Sequence, residues 1–254
     1  MIELRGISKK FFALTVVNDV SFTVSPGEVL GYLGPNGAGK TTTIKMLAGL
    51  FKPTKGEILY ECRDIRTDIF AYKKRLGYVP EQSEIYSHLS AYDYLVMVGR
   101  LRGMPEQSLK AKIVEFLKIF DLEQDMDASI SSYSKGMRQK VLIAAALLHN
   151  PDILLLDEPL SGLDVTTALV IRDLIQRLAK ENKIIIYSSH VLEVTEKVCS
   201  KVIILHRGSI VANDSVENLR ALMDLPSLAE IFSQLVVHED TGLMAGRLVS
   251  AMKG

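Results

Sequence analysis

A glycine-rich segment near the N-terminus has the residue types and spacing of a phosphate-binding loop. Residues 34–41 read GPNGAGKT and fit G-x-x-x-x-G-K-[S/T]. Glycines let the backbone wrap closely around an anion and point several N–H groups at it. Lys40 adds a mobile positive charge for the terminal phosphates, and the Thr41 hydroxyl can ligate Mg²⁺. A glycine-rich turn that contains a lysine by chance is the alternative, which the strand pattern before the loop and the helix pattern after it disfavour.

Two adjacent acidic residues end an apolar run further along the chain. Residues 153–156 predict a buried strand, and Asp157 and Glu158 follow at its carboxyl end. Open α/β sheets bind ligands at that end, so we expect Asp157 to hold Mg²⁺ and Glu158 to polarise a water that attacks a γ-phosphate. A lone acidic pair would more often form a solvated turn that caps the next helix. The phosphate loop makes the catalytic interpretation the better one.

The segments around these motifs predict an α/β fold. Continuous apolar runs, typical of strands covered on both faces, occur at 153–156, 184–187 and 202–205. Helical stretches separate them at 165–180 and 191–198. Strand, helix and strand in alternation predict a parallel sheet. From about residue 90 to 150 the apolar spacing stays helical, which predicts a helical subdomain inserted in the core.

Composition excludes several classes of protein. The 254 residues include 30 Lys plus Arg and 30 Asp plus Glu, and this balance disfavours a dedicated nucleic-acid binder. Hydrophobic residues make up 48%, yet no apolar run approaches the ~18 residues of a transmembrane helix. The N-terminus does not resemble a signal peptide. Cys62 and Cys199 form no close-spaced pair, so we expect two buried, reduced thiols.

Five segments occur in the order in which one protein family carries them. In that family's terms they are the Walker A loop at 34–41, the signature at 133–139, the Walker B strand at 153–158, the D-loop at 161–164 and a switch histidine, His190. The chain therefore resembles the ATP-binding subunit of an ABC (ATP-binding cassette) transporter over residues 1–235. The resemblance implies a P-loop NTPase core with a mostly parallel sheet, an N-terminal antiparallel β-subdomain and a helical subdomain inserted at about 84–150. Residues 236–254 would form a C-terminal tail.

The resemblance also implies the residues that carry the reaction. The expected catalytic residues are Glu158, His190 and Lys40, and the expected Mg²⁺ ligands are Thr41, Glu81 and Asp157. The residues expected to bind ATP are Phe11, Gly34, Pro35, Asn36, Gly37, Ala38, Gly39, Lys40, Thr41, Thr42, Ser134 and Gly136. Phe11 stands where the family places an aromatic ring against adenine. Ser134 precedes a helical run, so it is also a natural helix N-cap.

The chain departs from the family pattern at two motifs. In the signature, Tyr133, Lys135 and Met137 replace the family's Leu, first Gly and Gln. This variant resembles the ABC-2-type branch, which is linked to export; Lys135 either adds charge near phosphate or is solvated. In the Q-loop, Glu81 fills the aligned position and Gln82 is adjacent. Either residue could complete the shell of Mg²⁺ and water. Because an acid can ligate Mg²⁺, Glu81 is the ligand we expect, with Gln82 as the alternative.

The resemblance implies an ATPase that powers transport, with export favoured, through a separate transmembrane permease. The expected partners are that permease and a second ATP-binding subunit, identical or different, arranged head to tail; no nucleic acid is expected. The expected location is peripheral, on the cytoplasmic face of the cell membrane. An aromatic-rich stretch at 85–94 either docks the permease or packs the helical subdomain. A cassette ATPase of translation or DNA repair is the alternative function, and a P-loop kinase or GTPase fits the signature and His190 less well.

Overall fold

The computed structural model describes residues 1–82, 85–236 and 250–252. The strands are β1 (Ile2–Phe11), β2 (Leu14–Val24), β3 (Val29–Leu33), β4 (Lys55–Tyr60), β5 (Arg63–Asp64), β6 (Leu76–Val79), β7 (Ile153–Asp157), β8 (Ile184–Ser188), β9 (Lys201–His206) and β10 (Ser209–Ser215). The helices are α1 (Lys40–Leu47), α2 (Ile69–Lys74), α3 (Ala91–Leu101), α4 (Glu106–Ile119), α5 (Lys135–Leu147), α6 (Val165–Lys180), α7 (Leu192–Val198), α8 (Val216–Met223) and α9 (Leu228–Val236).

Within the described residues these strands form two sheets. The first has the order β2-β1-β4-β5 and is antiparallel, as predicted for the N-terminal subdomain. The second has the order β10-β9-β3-β8-β7-β6. Its neighbours are parallel from β9 to β6, and β10 pairs antiparallel with β9 at the edge. The predicted fold class is confirmed.

The parallel sheet is buried on both faces, which explains its continuous apolar runs. In β7, Leu154 and Leu156 point into a core shared with α3, α4, α5 and α6. Ile153 and Leu155 point into a second core, shared with the antiparallel sheet and α1. Alternate residues of one strand therefore serve opposite cores, and neither face of the strand needs polar residues.

The chain from β6 to β7 is helical, as its spacing predicts. Leu109, Ile113 and Leu117 of α4 lie at 0% exposure on the face that packs inward. Ser90 caps α3, since its hydroxyl accepts the Asp93 N–H at 3.0 Å. Ser90 also forms an isolated β-bridge with Ser129.

Several details differ from the sequence prediction, which missed β5, α2, β10 and α8. β10 is an edge strand of half-buried and exposed residues, and its apolar run is only three residues long, 210–212. The helix predicted after the phosphate loop is α1, which ends at Leu47, before Gly49 takes a left-handed φ of 65°. The expectation that both thiols are buried is wrong for Cys62, which is exposed in the turn after β4, whereas Cys199 is buried.

The predicted C-terminal tail, 236–254, falls largely on 237–249 and 253–254, which lie outside the described residues. In the described ranges, no helix has the length and apolar character needed to span a membrane.

Replacing Leu155 tests the second core. Leu155 is 0% exposed, so Leu155→Ala should lower the free energy of unfolding by about 2–5 kcal/mol through lost burial and an unfilled cavity. Leu222→Ala is the control, because Leu222 is 76% exposed and should change stability by less than about 0.5 kcal/mol. Urea unfolding measures both variants, and equal stabilities would contradict the assignment of Leu155 to a packed core.

Candidate active site

The phosphate loop joins the carboxyl end of β3 to the first residue of α1. Gly39 is the N-cap of α1 and has a φ of 104°. A Cβ on this glycine would lie 2.7 Å from the Val16 carbonyl oxygen, so a larger residue does not fit. The loop and the start of α1 line a cavity of about 250 Å³, together with Glu81, Asp157 and Glu158. The positive end of the α1 dipole therefore points into a space that carboxylates also border.

Lys40 lies folded over the loop that precedes it. Its ammonium donates hydrogen bonds to the carbonyl oxygens of Gly34, at 2.7 Å, and Pro35, at 3.2 Å. Burial lowers the pKa of Lys40, while the nearby carboxylates of Glu158, Asp157 and Glu81 oppose that shift. The Lys40 residue is 8% exposed, and its ammonium is held by these two carbonyl oxygens. An incoming phosphate would offer it stronger, charged acceptors than these carbonyls.

Asp157 is a buried carboxylate with little to stabilise its charge. It is 1% exposed, and in the described part of the chain neither of its oxygens has a hydrogen-bond partner of good geometry. Burial raises the pKa of Asp157, and the nearby hydroxyls of Ser188 and Thr41 lower it only in part. An unpaired buried carboxylate is costly unless a cation compensates it.

The residues around Asp157 suit a hard cation that keeps some of its water. The Thr41 hydroxyl donates to Glu81 Oε2 at 3.2 Å, and both residues border the same cavity as Asp157. No cluster of three or more His, Cys, Asp or Glu side chains forms a ready metal site in the described ranges. Two acids and one hydroxyl fit Mg²⁺, which binds through few protein ligands plus waters and substrate phosphates.

Glu158, which borders this cavity, contacts His190. Glu158 Oε1 lies 2.9 Å from His190 Nδ1, and the Ser189 hydroxyl donates to Oε2 at 3.4 Å. In the sheet, Asp157 pairs with Ser188, so the residues after β7 and after β8 leave side by side. The Glu158 side chain is 12% exposed and that of His190 is 71% exposed. The pair presents one oriented carboxylate and one accessible imidazole.

A larger cavity, about 700 Å³, extends from the phosphate loop towards the signature segment. Its lining residues are Gly34, Pro35, Asn36, Glu81, Gln82, Lys135, Arg138, Glu158, Ser161, Ser189, His190, Leu192 and Phe232. Arg138, Ser161, Ser189, Leu192 and Phe232 are lining residues that were not predicted for the site. Arg138 and Ser161 lie within recognised motifs and Ser189 directly precedes His190, whereas Phe232 belongs to α9, which packs against α7 and α8.

The signature segment forms the start of α5. The Ser134 hydroxyl accepts the Met137 N–H at 3.2 Å, so the predicted N-cap is confirmed. Gly136 lies against the loop after β7, where an added Cβ would stand 2.5 Å from the Gly162 carbonyl oxygen.

Phe11 is one of several predicted site residues that line neither cavity in the described chain; the others are Ala38, Ser134 and Gly136. Phe11 is 37% exposed, and its ring packs edge-on against Phe51 at 5.6 Å, with Lys9 Nζ 5.1 Å from the ring centre.

Comparison with known proteins decides the family. Residues 17–161, more than half of the chain, match the family described as ABC transporter. The ABC transporter ATP-binding protein NatA of Bacillus subtilis is 39% identical over 243 residues, which cover 94% of this chain and 99% of NatA. The chain belongs to the ABC transporter ATP-binding proteins. It is an ATP-binding and ATP-hydrolysing subunit that powers transport.

Solved structures agree with this family. The ATP-binding subunit of an ABC transporter superposes with a TM-score of 0.87 at 30% identity, covering 92% of this chain and 99% of that one. The dimeric structure of MJ0796, a bacterial ABC transporter cassette, has a TM-score of 0.78 at 26% identity, covering 85% and 98%. The resemblance inferred from the motifs is thus confirmed.

Replacing Lys40 tests whether the phosphate loop of this ABC transporter subunit binds ATP. Lys40→Ala removes the charged donor from the loop and should weaken ATP binding about 10- to 100-fold. Isothermal titration calorimetry on the purified chain measures the change. The exposed Lys55 in β4 provides the control, and Lys55→Ala should bind ATP like the parent. Unchanged affinity in Lys40→Ala would show that the loop is not the phosphate site.

Proposed function

We propose that this ATPase subunit hydrolyses ATP as one half of a head-to-tail pair and drives export through a separate membrane permease. The observation that carries the proposal is the contact of 2.9 Å between Glu158 and His190 beside the phosphate loop. It combines an oriented carboxylate, a hydrogen-bonding imidazole and a phosphate cradle at one edge of the sheet. We take residues 1–235 as the ABC ATPase domain, with helices inserted at about 84–150 and a tail at 236–254.

In this proposal the chemistry is positioning and charge neutralisation. Glu158 polarises the attacking water in line with the γ-phosphate. Lys40 and the loop N–H groups of 34–41 stabilise the charge on the phosphates. His190 donates a hydrogen bond to the γ-phosphate and so reports whether that phosphate is present. Phe11, which is partly exposed beside Phe51, would stack on adenine.

Mg²⁺ fits the cluster formed by Thr41, Glu81 and Asp157. When bound, the ion neutralises phosphate charge. The Thr41 hydroxyl and the Glu81 carboxylate are the proposed direct ligands. Asp157 would hold the ion through a bound water. Its buried, unpaired oxygens lie at the end of β7 and need a positive charge nearby.

Pairing of two subunits follows from the two phosphate cradles in each chain. One cradle is the loop before α1, and the other is the start of α5 with Ser134 and Gly136. One subunit cannot easily use both on a single γ-phosphate, whereas a head-to-tail pair can. The dimeric cassette MJ0796, which shares this fold, supports such a pair. ATP would hold the pair closed, and hydrolysis would release it.

The direction of transport is inferred from relatives. The Nod factor export ATP-binding protein I of Burkholderia lata is 35% identical over 83% of this chain and 69% of its own length. The linearmycin resistance ATP-binding protein LnrL of Bacillus subtilis is 32% identical over 84% and 68%. These names favour export over the alternative role in translation or DNA repair.

A permease would bring the subunit to the cytoplasmic face of the membrane, as a peripheral protein. For the aromatic-rich stretch 85–94 we considered two roles, docking of the permease and packing of the helical subdomain, and its residues differ in burial. Ile85, Tyr92 and Tyr94 pack against the core, whereas Tyr86 is 59% exposed and its ring meets His88 edge-on. We therefore place the docking groove around Tyr86 rather than along the whole stretch.

Glu158→Gln tests the catalytic base. The variant keeps the size of the side chain but cannot accept a proton, so hydrolysis should fall by about 10²- to 10⁴-fold while ATP still binds. ATP should also drive the variant into a stable dimer, which analytical ultracentrifugation detects. The exposed Glu115 of α4 supplies the control, Glu115→Gln, with parental turnover. Normal turnover in Glu158→Gln would exclude Glu158 as the base.

Asp157→Asn tests the proposed metal site. Loss of the charge should raise the Mg²⁺ concentration needed for half-maximal ATP binding by about 10- to 100-fold. Metal-free folding should not suffer, because the parent buries an unpaired carboxylate. Mg²⁺ titration with ATP present measures the first effect and thermal unfolding the second. Asp173→Asn, at an exposed position of α6, is the control; an unchanged Mg²⁺ dependence in Asp157→Asn would contradict the site.

A further inference from the structure

Lys135, one of the departures from the family signature, makes a contact that its sequence position does not predict. Its ammonium donates a hydrogen bond to Ser161 Oγ at 2.7 Å. Its methylene stem lies over Gly162, where an added Cβ would stand 3.0 Å from Lys135 Cγ and Cδ. Ser161 and Gly162 belong to the segment 159–164, which directly follows Glu158. Lys135 therefore joins the start of α5 to the segment that continues from the catalytic carboxylate.

Three further contacts fasten the first turns of α5 along the same segment. The Gln139 amide donates to the Pro159 carbonyl oxygen at 3.0 Å in a buried position. Gly136 lies close to the Gly162 carbonyl oxygen. Lys140 Nζ lies 3.8 Å from Asp164 Oδ2. Residues of α5 thus contact the segment 159–164 from its first residue, Pro159, to its last, Asp164.

The charge pattern of α5 indicates that Lys135 does not serve the helix itself. Lys135 is the first residue of α5, Arg138 lies one turn later, and the first turn contains no acidic residue. Cations at a helix N-terminus oppose the helix dipole. The favourable interaction of Lys135 is therefore the one across to Ser161.

We propose that Lys135 is a positioning residue for the Glu158 carboxylate. Glu158 has a φ of 51°, in the left-handed region that disfavours a non-glycine residue, so its neighbours must hold it there. On the β8 side, its N–H donates to the Ser188 carbonyl oxygen at 3.0 Å and its carboxylate meets His190. On the α5 side, the segment 159–164 is fastened, and Lys135 supplies the contact at Ser161. The proposal rests on the role of Glu158 as the base.

Steady-state kinetics of the full chain test this role. Lys135→Met should lower kcat roughly three- to tenfold, the effect of losing one hydrogen bond, and leave the KM for ATP within about twofold because Lys40 and its loop are unchanged. Ser161→Ala should give the same loss. The double variant should lose no more than either single variant, because both changes remove one contact. Lys135→Arg should restore most of kcat, since arginine keeps a donor.

Two measurements separate positioning from general damage. Thermal unfolding should show all variants folded, and calorimetry should give parental ATP affinity. Lys118→Met, at an exposed lysine of α4, is the matched control with parental kcat.

Three results would overturn the proposal: parental kcat in Lys135→Met, a raised KM with unchanged kcat, or additive losses in the double variant. Glu158→Gln assayed in parallel separates the role of Glu158 from the role of Lys135. Normal turnover in Glu158→Gln would exclude Glu158 as the base and Lys135 as its positioning residue. An inactive Glu158→Gln beside a fully active Lys135→Met removes the positioning role alone.

Discussion

The site depends on the pairing of two parallel strands. Asp157 at the end of β7 lies opposite Ser188 at the end of β8, and β3 pairs with β8 on its other side. Parallel strands end at one edge, so three loops begin there next to one another. The segments after β3, β7 and β8 lead to Lys40 at the start of α1, to Glu158 and to His190, respectively. A shift of one residue in the pairing of β7 would turn Asp157 to the other face of the sheet and remove it from this group.

Charged groups are buried at that edge of the sheet, and burying a charge without a full counter-charge costs free energy. Asp157 is buried with raised pKa and without a hydrogen-bond partner of good geometry in the described chain. Lys40 is buried with lowered pKa and is held by two carbonyl oxygens of its own loop. Each group lacks a full counter-charge that Mg²⁺ and phosphate together would supply. The arrangement is therefore prepared for a metal–nucleotide complex rather than for either component alone.

The sequence predicted the elements and the site residues whose positions follow from local pattern. Doubly covered strands such as β7 have continuous apolar runs, and the phosphate loop fixes its own position between a strand and a helix. Contacts made by distant packing were not predictable. Phe232 reaches the cavity because α9 docks on α7, and no spacing near residue 232 encodes that contact. Lys135 was left between two roles, since its partner Ser161 lies in another segment. The continuous apolar run that reveals β7 has no counterpart at Cys62, which is exposed in a turn and has a positive φ of 63°.

The two cavities beside β7 and β8 share Asn36, Glu81 and Glu158, and together they would bind the phosphates of ATP with Mg²⁺. A crystal structure of the Glu158→Gln variant grown with ATP and Mg²⁺ would test this arrangement. We expect the γ-phosphate within hydrogen-bond distance of Lys40 Nζ and His190. We also expect the ion near Thr41 and Glu81, with Asp157 reaching it through water. A nucleotide bound elsewhere on the chain, or phosphates at this edge of the sheet with no ion beside Asp157, would exclude this arrangement.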